Sequence, residues 1–254
     1  LISDLVGSGK TETLKELTRI LETKFPDYWI SFLTLKDNKQ DYLEAKTKDF
    51  KKFMSETILK LKSHEKMFFD FLYDDQRAIF LLDGFDEISP DCKHEVLDIL
   101  KGFIKNPSCQ IYLTTRGHLK EDLERELNVT AFNVTPISKE QQVKYLLNSW
   151  SPVDDASDKK FAENLIKRLS NCLRGTDFFG LPLQTYLLSQ IYKDKSTRLD
   201  DNQELTPVDV FCRFFDAKYE LWLKEMSITE LTLECKKVLN FHKIHDFLAL
   251  SFFI

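Results

Sequence analysis

The chain has 254 residues, 43% of them hydrophobic, 13% aromatic and 30% charged, the balance of a globular protein with a sizeable core. Only 7 Gly and 7 Pro are present, which excludes collagen-like and low-complexity chains, and no apolar run reaches the roughly 18 residues of a membrane span. Thirty-six Lys and Arg against 41 Asp and Glu give a net charge of −5, so a general surface for nucleic acid is not expected, only a local basic pocket.

A short apolar start at Leu1-Ile2 runs into Gly7-Ser8-Gly9-Lys10-Thr11. Leu14, Leu17, Ile20 and Leu21 then recur at helical spacing as far as Pro26,. Tyr28 to Leu35 is aromatic and branched, as a buried strand requires,. A polar, Lys-rich helical stretch is expected from Asp37 to Ser63, with Lys46 to Lys52 as a solvated face, and a shorter helix from Glu65 to Tyr73. Ala78 to Asp83 is a continuous apolar run ending in an acid, the pattern of a central parallel strand,. Val96, Leu97, Leu100, Phe103 and Ile104 mark another amphipathic helix. Cys109 to Thr114 reads as a further strand, and Thr130 to Val134 as a fifth. Strands alternating with helices on this scale predict an α/β fold, a parallel sheet covered on both faces.

The pattern changes at residue 138, where Ser138-Lys139-Glu140-Gln141 reads as a capping box opening a helix through Trp150,. Further helices are expected around Phe161 to Leu173, Leu183 to Ile191, Phe211 to Leu223 and Leu231 to Phe252. The predicted organisation is an α/β domain over 1–137, a helical domain over 138–205 and a third part from 206 to 254. The five cysteines (Cys92, Cys109, Cys172, Cys212, Cys235) form no CxxC pair and read as reduced thiols of an intracellular protein. With no initiator Met before Leu1 and an apolar Phe252-Phe253-Ile254 at the other end, the chain reads as a fragment cut through structured sequence.

Gly7-Ser8-Gly9-Lys10-Thr11 stands between a strand and a helix. Clustered phosphate charge needs inward N–H groups at close range, which glycines permit, and the following helix adds its positive dipole end. Lys10 would reach the β- and γ-phosphates, and the Thr11 hydroxyl would ligate Mg²⁺. The motif G-x-x-x-x-G-K-[ST] places its first Gly at position 4, where this chain has Asp4; a carboxylate there is expected to weaken nucleotide affinity. Asp83 closes its strand as a second Mg²⁺ ligand through water. Beyond Gly84, Asp86 and Glu87 could orient or deprotonate a water. Arg116, after Thr114-Thr115 at the end of another strand, could sense a γ-phosphate.

These three elements together resemble a NACHT domain of the STAND class of P-loop NTPases. Gly180-Leu181-Pro182-Leu183 is similar to the family's helical-domain motif, whose proline packs against adenine, so Pro182 joins Gly7, Ser8, Gly9, Lys10 and Thr11 as a nucleotide-binding candidate. The resemblance implies a weak ATPase at most, acting as a cytoplasmic switch. Such a switch is closed and monomeric with ADP and self-associating with ATP, in signal transduction and innate immunity. It also implies effector and sensor partners outside these residues, and a winged-helix region beginning near 206. A histidine of that region often meets ADP in the family, which raises His242 and His245, although a solvated or core-edge role suits them better. Two other classes share part of the pattern: an AAA-type remodelling ATPase with steady turnover, and an interaction scaffold with a degenerate loop, for which Asp4 is the motive. Asn128-Val129-Thr130 and Asn133-Val134-Thr135 match glycosylation acceptors but fall around an expected buried strand, and no zinc spacing is found,.

Overall fold

The computed structural model describes residues 1–38, 41–42, 49–105, 109–150, 156–172, 180–193 and 206–225. They fall in two compact units, one of Leu1–Ile137 with Leu181–Leu183, the other within Ser138–Gly180 and Gln184–Ile254.

In the first unit, β1 (Ile2–Asp4), β2 (Trp29–Thr34), β3 (Ala78–Asp83) and β4 (Gln110–Arg116) form one parallel sheet in the order β1-β4-β3-β2. The register sets Thr34 beside Asp83 and Asp4 beside Arg116. Because every pair is parallel, the polar residues that end β1, β3 and β4 arrive at one edge of the sheet. β4 lies between β1 and β3, and this insertion decides which side chains can meet at that edge.

Alternation along the strands divides the core. One face carries Ile79 and Leu81 against Leu14 and Leu21 of α1 (Lys10–Lys24). The other carries Ala78, Phe80, Leu82 and Leu113 against α2 (Ser63–Asp74), α3 (Lys93–Lys105) and α4 (Lys120–Leu127). Phe80 is fully buried, edge-on to Phe50 at 5.4 Å and to Phe69 at 6.2 Å. Strand β3 is therefore apolar on both sides, as its unbroken run requires.

Two expectations need correction. The stretch from Asp37 to Ser63 is not one polar helix. A 3₁₀ turn spans Leu35–Asn38, a helical turn Phe50–Lys52 continues as a π-helical turn Phe53–Ile58, and 43–48 lie outside the described residues. The reason is the apolar residues among the lysines: Tyr42, Phe50, Phe53 and Met54 are all buried, and the wider π turn carries Leu59 N–H to the Met54 carbonyl at 2.9 Å,. Lys51 is likewise no free solvated residue, since it pairs with Asp74 at 2.7 Å and Asp70 at 3.4 Å.

The fifth strand shrinks to one bridge, Ile2↔Phe132, outside β1. Phe132 N–H donates to the Leu1 carbonyl and Ser3 N–H to the Phe132 carbonyl, both at 2.9 Å. Val134 N–H then turns to the Asp4 carboxylate at 2.8 Å instead of continuing the ladder. The segment is not buried: the Phe132 side chain is 70% exposed.

The second unit is helical: α5 (Lys139–Trp150), α6 (Ala156–Cys172), α7 (Pro182–Ile191, whose first residues cluster with the sheet) and α8 (Pro207–Glu225). Ser138 caps α5 as its sequence promised: its hydroxyl accepts from Gln141 N–H at 3.3 Å, and the Gln141 side chain accepts from Ser138 N–H at 2.8 Å,. Leu146, Leu165, Ile166, Leu169, Leu187 and Leu188 are buried in this unit. Trp150 packs against Phe161 with the rings tilted at 44°, and its indole N–H donates to the Ser189 carbonyl at 2.9 Å. The expected helix from Leu231, with His242, His245 and the Phe-rich end, lies outside the described residues. Among the described residues no helix is long and apolar enough to cross a membrane.

Candidate functional site

The loop between β1 and α1 turns on two left-handed glycines, Gly7 at φ 80° and Gly9 at φ 84°, a conformation that costs a side-chain-bearing residue far more,. Gly9 is the N-cap of α1, so the leading N–H groups of that helix face the loop,. A side chain at either glycine would also crowd Pro182 or Leu183: a Cβ on Gly9 would stand 3.2 Å from Pro182 Cγ, and one on Gly7 3.0 Å from Leu183 Cβ. Leu183 N–H donates to the Gly7 carbonyl at 3.2 Å. Pro182 is thus brought onto the loop itself, and Leu183, which was not named as a candidate, is its neighbour there.

Lys10 folds back over the loop. Its ammonium donates to the carbonyls of Asp4 at 3.0 Å and Leu5 at 2.8 Å, with Ser8 Oγ at 3.5 Å. Burial lowers its pKa below the ordinary lysine value, and Arg116 pushes the same way; Asp86, Asp4 and Asp83 oppose the shift,. Thr11, one residue on, donates its hydroxyl to Asp83 Oδ2 at 2.7 Å.

Asp83 is buried, and each of its carboxylate oxygens accepts a threonine hydroxyl. Thr114 donates its hydroxyl to Asp83 Oδ1 at 2.6 Å, and Gly84 N–H donates to that same Thr114 oxygen at 2.9 Å. Thr114 reaches Asp83 because β4 lies directly beside β3, with Leu82 opposite Leu113. The sequence quoted Thr114 only as part of a motif; its role needed the register.

Gly84, at φ 80°, turns the chain into the 3₁₀ turn Phe85–Glu87. Phe85 is buried and anchors that turn, which presents Asp86 and Glu87 at the strand ends. Arg116 Nε pairs with Asp86 Oδ2 at 2.8 Å, and its other nitrogen lies 3.8 Å from Glu87 Oε1. Lys36, just beyond β2, approaches the other Glu87 oxygen at 3.7 Å. No sequence signal pointed to Lys36; its place follows from β2 lying beside β3.

Asp4, in place of the first loop glycine, is engaged by the backbone on both sides. Its two carboxylate oxygens accept from Leu5 N–H at 2.7 Å and Val134 N–H at 2.8 Å. The negative charge is spent on backbone donors as well as standing near Lys10.

The geometry fits a phosphate chain and a hard cation. Thr11 Oγ1 and Asp83 Oδ2 are two oxygen donors at hydrogen-bond distance, the sparse protein contribution that Mg²⁺ takes when water and phosphate supply the rest,. Among the described residues no group of three or more His, Cys, Asp or Glu could hold a metal.

A parallel sheet whose glycine loop, lysine, strand-end acid and arginine meet at one edge is the architecture of a P-loop NTPase,. A model of the NACHT domain matches residues 6–152, more than half of the chain. The chain belongs to the NACHT domain family, in the STAND class of P-loop NTPases, and is a nucleotide-binding protein. No curated protein matches it. Among solved structures, C. elegans PCH-2 is 18% identical at a TM-score of 0.41, the match covering 87% of this chain and 61% of that one. The FIGL-1 AAA domain in complex with ADP is 14% identical at a TM-score of 0.40, covering 89% and 77%. The chain thus spans less than two thirds of the length of PCH-2.

Proposed function

We propose that this chain is an ADP/ATP switch of cytoplasmic signalling, with Mg²⁺ accompanying the nucleotide. Residues 1–137 serve as the nucleotide-binding domain, 138–205 as the helical domain and 206–254 as the start of a winged-helix region. The observation that carries the reading is the Thr11–Asp83–Thr114 chain of hydrogen bonds beside Lys10, which fixes a buried carboxylate at the mouth of a glycine loop. Gly7, Ser8 and Gly9 wrap the phosphates with backbone N–H groups, and Pro182 packs at the adenine side. When bound, the cation neutralises phosphate charge; Thr11 and Asp83 are the residues that hold it.

The Arg116 pair gives the switch its lever. Arg116 rests on Asp86 and Glu87, and a γ-phosphate competes with those carboxylates for the guanidinium. ATP therefore gains a contact that ADP lacks, and only such a difference can shift a two-state equilibrium. Asp86 or Glu87, once released, is placed to orient a water, which fits slow hydrolysis at most. ATP-dependent self-association, with effector and sensor partners in innate immunity, completes the proposal.

Calorimetry with ADP and with ATP tests it. Lys10→Ala is expected to weaken both nucleotides about 10- to 100-fold, the worth of losing a charged hydrogen-bond donor. Equal binding by both proteins would remove Lys10 from the site. Light scattering should show a larger particle with ATP than with ADP; one mass under both conditions contradicts the assembly, and rapid polymer-stimulated turnover contradicts the switch.

A further inference from the structure

Val134 and Leu5 have a shared circumstance. The bridge Ile2↔Phe132 uses Phe132 N–H on the Leu1 carbonyl and Ser3 N–H on the Phe132 carbonyl. A parallel ladder repeats every two residues, so its next rung would centre on Asp4 and draw on the N–H groups of Val134 and Leu5. Those are the two donors that the Asp4 side chain takes, Leu5 N–H on Oδ1 and Val134 N–H on Oδ2. One carboxylate, with two acceptor oxygens, replaces a rung of the sheet. Glycine, which the loop motif expects at this position, has no acceptor to offer, and an amide has one oxygen only.

The same residue seats the lysine. Lys10 rests on the main-chain carbonyls of Asp4 and Leu5, which flank the Leu5 N–H that the carboxylate ties down. We propose that Asp4 is a positioning residue of the phosphate site: it fastens the Val134 segment to the first peptide of the loop and so fixes the platform on which Lys10 stands. The proposal rests on the phosphate-site reading above and gives Asp4 the opposite sign from a simple electrostatic view. As a bare charge near phosphates, Asp4 would weaken binding, and neutralising it would tighten the complex. As a fastener it favours binding, and neutralising it loosens the loop.

The test is the affinity of the whole chain for ADP and MgATP. Asp4→Asn should weaken both about tenfold, the scale of one charge-assisted hydrogen bond. Val134→Pro deletes the donor and leaves the carboxylate; it should weaken binding by a similar factor, and the double variant should go little further, since both remove one interaction. Tighter binding by Asp4→Asn, or fully additive losses, would overturn the proposal. Amide exchange gives an answer even where a variant does not fold: in the wild-type chain the Val134 amide should be protected although it lies outside every strand, and exchange at the free-peptide rate overturns the fastening. A wild-type chain that binds neither nucleotide defeats the phosphate-site reading and the proposal with it. One that binds while Asp4→Asn binds equally well defeats the proposal alone.

Discussion

The two edges of the sheet are built on different principles. On the β2–β3 side, pairing runs unbroken from Trp29↔Ala78 to Thr34↔Asp83, and the neighbouring strand is buried at every residue. On the β1 side, three paired residues give way to one bridge and then to a side-chain carboxylate. The first edge is held by apolar area, which has no direction and tolerates little loss of volume. The second is held by single directed polar contacts, each small in net stability, and the loop carbonyls on which Lys10 rests lie beside them. Regular pairing serves the core; interrupted pairing serves the site.

The difference can be tested by removing one group from each side. Phe80→Ala should cost about 3–5 kcal/mol in denaturant unfolding, because Phe80 is fully buried against Phe50 and Phe69. Its folded fraction should keep nucleotide affinity, and a large affinity loss would show the core and the site to be coupled. Thr114→Val keeps volume but strips the hydroxyl between Asp83 and Gly84. It should cost about 1–3 kcal/mol, and here affinity for MgATP should fall as well. A Thr114→Val protein with normal affinity would make that hydroxyl merely structural.

A pH series sharpens the polar side. Phosphates favour the ammonium form of Lys10, whose pKa burial lowers in the free protein. Affinity should therefore be level below that lowered pKa and fall as pH rises through it, where binding must take up a proton. The decline should begin earlier than for an ordinary lysine and vanish in Lys10→Ala; a flat profile from about pH 7 to about pH 10 would contradict it. The smallest effect is expected at the surface. Lys15 pairs with Glu12 at 2.7 Å, but both side chains are exposed, and Lys15→Ala should change unfolding by less than about 0.5 kcal/mol.

Much of the site was legible because its residues sit in short runs. Gly7 to Thr11 and Asp83 to Glu87 owe their chemistry to local spacing, since the loop must be small and the acid must end a strand. The roles of Thr114, Lys36 and Leu183 were not legible, because each depends on which strand or segment lies beside which. The stretch before residue 63 reads as a polar helix through its lysines, whereas burial follows the apolar anchors among them, Tyr42, Phe50, Phe53 and Met54.

The αβ alternation, the glycine loop, the strand-end acid and the family follow from periodicity and from residues within a few positions of one another. The strand order that sets Thr114 beside Asp83, the pairing of Arg116 with Asp86 and the partners of Asp4 emerge when the chain packs. Local patterns fix backbone conformation through sterics and hydrophobic period. Which oxygen meets which donor across 130 residues, as at Asp4 and Val134, depends on packing that no short window contains.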